Sequence, residues 1–149
     1  MKNLLNNENY CELTLRIQQL QPESKAKSGN MNAPQMLAQV SEDCKVPLSD
    51  KPMPRSIMGR LFGWAFKPEL YNDNPWEENL FTSSTNAIND AKDFNKELLG
   101  LLTLVETFHT TSTENIGRYA HPVFGKFTAD QWGKAMYKNL DRHLVEFGV

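Results

Sequence analysis

Residues 128–147 read TADQWGKAMYKNLDRHLVEF, and this stretch decides the fold. Thr128 followed by Gln131 is a capping-box pattern: the hydroxyl accepts from the backbone three residues on, and the carboxamide reaches back. A helix from about Ala129 to Phe147 follows. At about 100° per residue, Trp132, Met136, Leu140, His143 and Phe147 share one stripe, with His143 at its centre and Asn139 at its edge. Lys134, Lys138 and Asp141 take the opposite face. The stripe faces a core yet carries an imidazole and a carboxamide. Each needs a partner, because unpaired burial costs a few kcal/mol. His143 is therefore either a core histidine bonded to a neighbouring helix or a site residue.

Three further segments carry helical periodicity. From about Asn9 to Leu20, Tyr10, Leu13, Ile17 and Leu20 recur until Pro22 stops the run. Asn32 and Gln35 form a second capping box, with Pro34 in the first turn, where its missing N–H costs little. Ala33, Met36, Leu37, Val40 and Cys44 make the stripe of that helix, Gln39 and Asp43 sit on its shoulder, and Pro47 ends it. The third long helix is expected to start near Asn89 or Asp90 and end near His109, with Phe94, Leu98, Leu101, Leu102, Val105 and Phe108 inward. Gly100 in its middle costs about 1 kcal/mol relative to Ala, which predicts close packing there. Between the second and third of these helices, IMGRLFGWAF (57–66) is apolar almost all round. A short helix there buries every side or leaves a greasy surface. The following YNDNPWEEN is turn-rich and expected to be extended. Four amphipathic helices without period-2 alternation predict one all-α bundle domain over residues 1–149, its long connection allowing a crossover.

Composition closes off several functions. The chain has 149 residues, 16 Lys plus Arg against 18 Asp plus Glu, and a formal net charge of −2. With an isoelectric point near 5.9 and no basic block, the electrostatic footprint of a nucleic-acid binder is missing. No stretch approaches the roughly 20 apolar residues of a membrane span, and MKNLLNNENY has no apolar h-region. Cys11 and Cys44 lack metal or redox spacing, which fits a reducing cytosol; Cys44 packs as a small hydrophobe and Cys11 lies off its stripe. The expectation is a cytoplasmic protein with no nucleic-acid or membrane partner. No serine triad, phosphate-cradling glycine loop or HExxH spacing is present. His109 sits where an imidazolium meets the carbonyl end of a helix. His121, before Pro122, either decorates the surface or leans into a cavity at the bundle mouth.

His121 to Val149, HPVFGKFTADQWGKAMYKNLDRHLVEFGV, resembles the end of a subfamily of DinB-like proteins of unknown function, whose members look like HPFFGKLT-x-x-x-WG-x-x-x-YKHLDHHLRQFGV. NAPQMLAQVSEDC (32–44) is similar to that family's NAQQMLAHV segment, and RSIMGRLFGWAFKPEL (55–70) to its connection between helices two and three. The resemblance covers about residues 30–149. It implies an up-down-down-up four-helix bundle, often a homodimer. Better understood relatives hold a divalent metal with three histidines, one from the second helix and two spaced four apart on the last. Some are metal-dependent transferases that use a low-molecular-weight thiol, whose pKa the metal lowers.

This sequence departs from that pattern where it matters. The second-helix histidine aligns with Gln39, the first of the paired histidines with Asn139, and a further subfamily histidine with Arg142; His143 alone remains. Carboxamide oxygens are weak ligands, poorly suited to zinc or nickel. No cofactor is expected, beyond a weakly bound divalent metal at Gln39, Asn139 and His143, with Asp43 as a nearby carboxylate. Three functions follow. The first is a small-molecule-binding or interaction protein, its pocket built from Gln39, Asn139, His143, Trp132, Met136 and His121. The second is a thiol-transferase-related enzyme with a weakened metal site. The third is a self-association module, in which Gly59 and Gly63 pack the 57–66 stretch against a second copy or, equally, against the chain's own bundle end.

Overall fold

The two capping boxes set the helix starts that the sequence announces. The computed structural model describes residues 1–74 and 91–149. It contains α1 (Asn7–Gln18), α2 (Ala33–Lys45), α3 (Ile57–Phe66), α4 (Phe94–Thr110) and α5 (Ala129–Glu146), with a 3₁₀ turn at Lys67–Leu70. Among the described residues the architecture is all-α, and the only extended pairings are the isolated bridges Lys25–Asn32 and His121–Gly125. Gln35 N–H donates to Asn32 Oδ1 at 2.9 Å while Asn32 N–H donates to Gln35 Oε1 at 3.1 Å. Thr128 and Gln131 repeat the arrangement at 3.2 and 3.1 Å. α4 starts later than the expected Asn89 or Asp90, which lie outside the described residues. Its cap is Asp93, whose Oδ1 accepts from Lys96 N–H at 2.7 Å. A carboxylate there satisfies an orphan donor and meets the positive end of the helix dipole.

Within the described residues, α4 and α5 each pack against both α1 and α2, so the four long helices enclose one core in the spatial order α1, α4, α2, α5. The predicted stripes of α2 and α5 are buried throughout. On α4 the innermost residues are Leu101, Val105 and Phe108, while Phe94, Leu98 and Leu102 are partly buried at the margin. Full burial of one such side chain stabilises by about 1.5–3 kcal/mol. Leu4, fully buried ahead of α1, belongs to the same core, and its N–H donates to Gly133 O at 3.0 Å. His109 serves this N-terminal segment: its Nδ1 donates to Leu4 O at 3.0 Å, and its ring stacks on Tyr10 at 4.2 Å. Arg16 ties α1 to the end of the chain through Asp141 at 2.6 Å and Val149 O at 3.0 Å.

α3 leaves part of its apolar surface in solvent. Its two glycines face inward onto the turn at residues 121–126. A Cβ at Gly59 would stand 2.5 Å from Val123 Cα, and one at Gly63 would overlap the Val123 carbonyl oxygen. The GxxxG spacing thus serves an intramolecular approach, with Ser56 N–H donating to Pro122 O at 3.0 Å and Lys67 Nζ to Lys126 O. Gly100 corrects an expectation: it is exposed, and an added Cβ meets nothing within 4 Å. Its cost in helix propensity therefore has no packing compensation. Two alanine substitutions should have opposite signs in chemical denaturation. Gly100→Ala is expected to stabilise by about 0.5–1 kcal/mol. Gly63→Ala is expected to destabilise by about 1–3 kcal/mol, since the Val123 backbone must move.

Candidate functional site

α2 and α5 meet through polar groups as well as core residues. Asn139, 8% exposed, donates from Nδ2 to Asp43 Oδ2 at 3.1 Å. One turn toward the C-terminus of α5 lies His143, and one turn toward the N-terminus of α2 lies Gln39. Both line a single cleft of about 980 Å³. Residues 28–31 of the α1–α2 connection, residues 72–74 after the 3₁₀ turn, and Tyr137, Arg142 and Phe147 complete its walls. Lys138 Nζ donates to Glu69 O at 2.6 Å and to Asn72 Oδ1 at 2.7 Å, so the side chain pins the 69–72 segment against α5.

The electrostatics of the floor follow from burial. Desolvation pushes the His143 imidazole down to about 4, and the Arg142 charge adds to the shift. The ring is neutral at pH 7, one nitrogen a donor and the other an acceptor. Its Nε2 stands 3.5 Å from Arg142 Nη2, the outer edge of hydrogen-bond range. Gln39 Oε1 is buried with no hydrogen-bond partner. Burial holds the Asp43 carboxyl above its ordinary range, against the pull of the Asn139 bond and Arg142.

The predicted pocket residues divide between two places. Gln39 and His143 line the cleft; Asn139 stands in the α2–α5 interface, bonded to Asp43. Trp132 lies eleven residues before His143, about 16 Å along the helix, and belongs to an aromatic box with His121. The His121 ring is 4.7 Å from Phe124 and 5.8 Å from Trp132, and Phe127 lies 4.6 Å from Trp132. His121 leans inward, its Nδ1 accepting from Val123 N–H at 3.0 Å and Phe124 N–H at 3.2 Å. Burial pushes it, too, down to about 4. Met136 is buried between the two places and, like Trp132 and His121, does not line the cleft. Tyr137, Arg142 and the 28–31 and 72–74 segments, absent from the predicted pocket, do. Periodicity gives each helix's own inward face and says nothing of which connection folds over it.

The residues present do not fit the divalent metal that the resemblance implies. Among the described residues no three His, Cys, Asp or Glu side chains are placed to share an ion. Asp43 is engaged by Asn139, and of the carboxylates on the cleft wall Asp141 pairs with Arg16 while Glu146 accepts from Ser28. At the three positions that the resemblance aligns with metal ligands stand one imidazole and two carboxamides, a weak set for zinc or nickel. Comparison with protein-family models, curated proteins and solved structures finds no match to this chain.

The two depressed histidines make stability pH-dependent. Each has a folded value near 4 and an ordinary value of 6.5. Their contribution is complete above pH 6.5 and is lost as the pH falls toward 4, because the unfolded chain takes up the protons first. The loss reaches roughly 3 kcal/mol per ring at most, and the raised Asp43 opposes part of it. Urea denaturation from pH 7.5 to 4 should show falling stability, with His143→Gln removing about half of the histidine-linked slope. An unchanged slope in that variant contradicts the assignment.

Proposed function

We propose that this chain is a DinB-like, up-down-down-up four-helix bundle that binds a small organic ligand where relatives of that superfamily hold a metal. The reading rests on one observation: the carboxamide oxygen of Gln39 is buried, lacks a partner and belongs to a residue lining the cleft beside neutral His143. An orphaned acceptor costs about 1–3 kcal/mol unless something donates to it. A ligand with an N–H or O–H donor would satisfy Gln39 once the carboxamide turns its oxygen into the cleft, and would lie against Tyr137 and Phe147. Cleft size suits this, since small-molecule pockets commonly hold about 300–1,000 Å³, and its many polar and charged lining residues favour a polar ligand that also reaches Tyr137 and Phe147. The homodimer and the cytoplasmic location are part of the same proposal. The first comes from the resemblance; the second agrees with two free cysteines, one exposed and one buried with its thiol pushed up to about 12.

Ligand-observed NMR with a fragment library tests the reading. Fragments carrying a donor should bind and shift the resonances of Gln39 and His143, and Gln39→Leu should weaken them about five- to tenfold, the worth of one hydrogen bond. Hits that leave those resonances unmoved, or bind Gln39→Leu equally well, overturn it. Protein purified without tag or chelator should hold substoichiometric zinc, nickel, iron and manganese, and a chelator should leave its melting temperature unchanged. Stoichiometric metal would favour the thiol-transferase reading instead.

A further inference from the structure

We infer that the outward face of α3 is a docking surface for an anionic phospholipid membrane. Ile57, Leu61 and Trp64 recur at i, i+4 and i+7 and are 77%, 59% and 75% exposed. Such a ridge is unusual on a helix whose other side is fixed, and this one is fixed: Gly59 and Gly63 lie on the Val123 backbone, and Lys67 holds Lys126 O. The three side chains are thus presented outward by packing within the chain, with no ordering left to be done on contact.

Charge selects the partner. Residues 50–69 contain Lys51, Arg55, Arg60 and Lys67 against Asp50 and Glu69, a local excess of positive charge in a chain whose net charge is −2. Lys51 and Arg55, ahead of α3, and Lys126, whose carbonyl Lys67 holds past its other end, are exposed. A second copy is a poor occupant, because a two-fold interface sets each patch against itself and brings these cations together. The three side chains also supply no more than roughly 500 Å², against about 800 Å² per partner in a stable complex. An anionic lipid surface answers both points. It pairs with the cations and takes Trp at the headgroup level, with Leu and Ile just below. This departs from the expectation of no membrane partner, although no described helix is long and apolar enough to cross a membrane. A helix lying in the interface needs neither that length nor continuous apolarity.

Co-sedimentation of the full chain with vesicles of phosphatidylcholine, with and without phosphatidylserine, tests the assignment. Binding is expected to the anionic vesicles only and to fall at high salt. Leu61→Ser/Trp64→Ser should weaken it at least about tenfold, and Lys51→Ala/Arg55→Ala about fivefold per cation removed. These side chains are exposed, so denaturation midpoints should stay unchanged and separate lost docking from lost folding. The inference is overturned by absent binding, by equal binding to both vesicle types, or by binding insensitive to either variant. It is equally overturned by a dimer that Leu61→Ser/Trp64→Ser dissociates, which would give the face to a second copy.

Discussion

The hydrogen bond between Asn139 and Asp43 joins α5 to α2 one turn from each of the two floor residues of the cleft. It pairs a buried carboxamide with a carboxyl that burial holds above its ordinary range, between two helices whose buried residues are mostly apolar. Because the bond sits one turn from His143 on α5 and one turn from Gln39 on α2, it brings those two residues to one cleft from separate helices. It also occupies the Asp43 carboxylate. A polar contact in a core adds little net stability but penalises every register in which its partners are lost.

The second constraint is the turn at residues 121–126. Gly125, at φ 75°, closes it through a reciprocal pair of backbone hydrogen bonds with His121 at 2.8 and 3.1 Å. The His121 ring accepts two further N–H groups, which requires an unprotonated Nδ1. On the outside of this turn α3 rests its glycines; on the inside stand Phe127 and Trp132. The Trp132 indole N–H is buried without a partner and lies where a side chain at Gly117 would be. One turn therefore joins an aromatic core, a buried histidine and an exposed amphipathic helix.

Much of this was legible before the structure. Caps and stripes gave both ends of α2 and α5, because backbone capping and 3.6-residue periodicity are local physics. They also put His143 and Asn139 inward. Leu4 carries no such signal, because an adjacent Leu4–Leu5 pair in an Asn-rich segment has no periodicity to say which side chain turns inward. Gly100 was misread because propensity gives its cost and no hint of whether anything packs there. The predicted pocket merged two places along α5, since a stripe has direction around the axis but no depth along it. The choice between inner and outer packing for Gly59 and Gly63 needed the position of Val123, far away in the chain.

A double-mutant cycle on Asp43→Ala and Asn139→Ala, read by urea denaturation at pH 7, probes the α2–α5 bond most directly. The account predicts a coupling of about 1.5–3 kcal/mol, the range for a hydrogen bond to a charged group, with single-mutant losses that do not add. Additive losses with no measurable coupling would contradict it, leaving only apolar packing to set the register of Gln39 against His143.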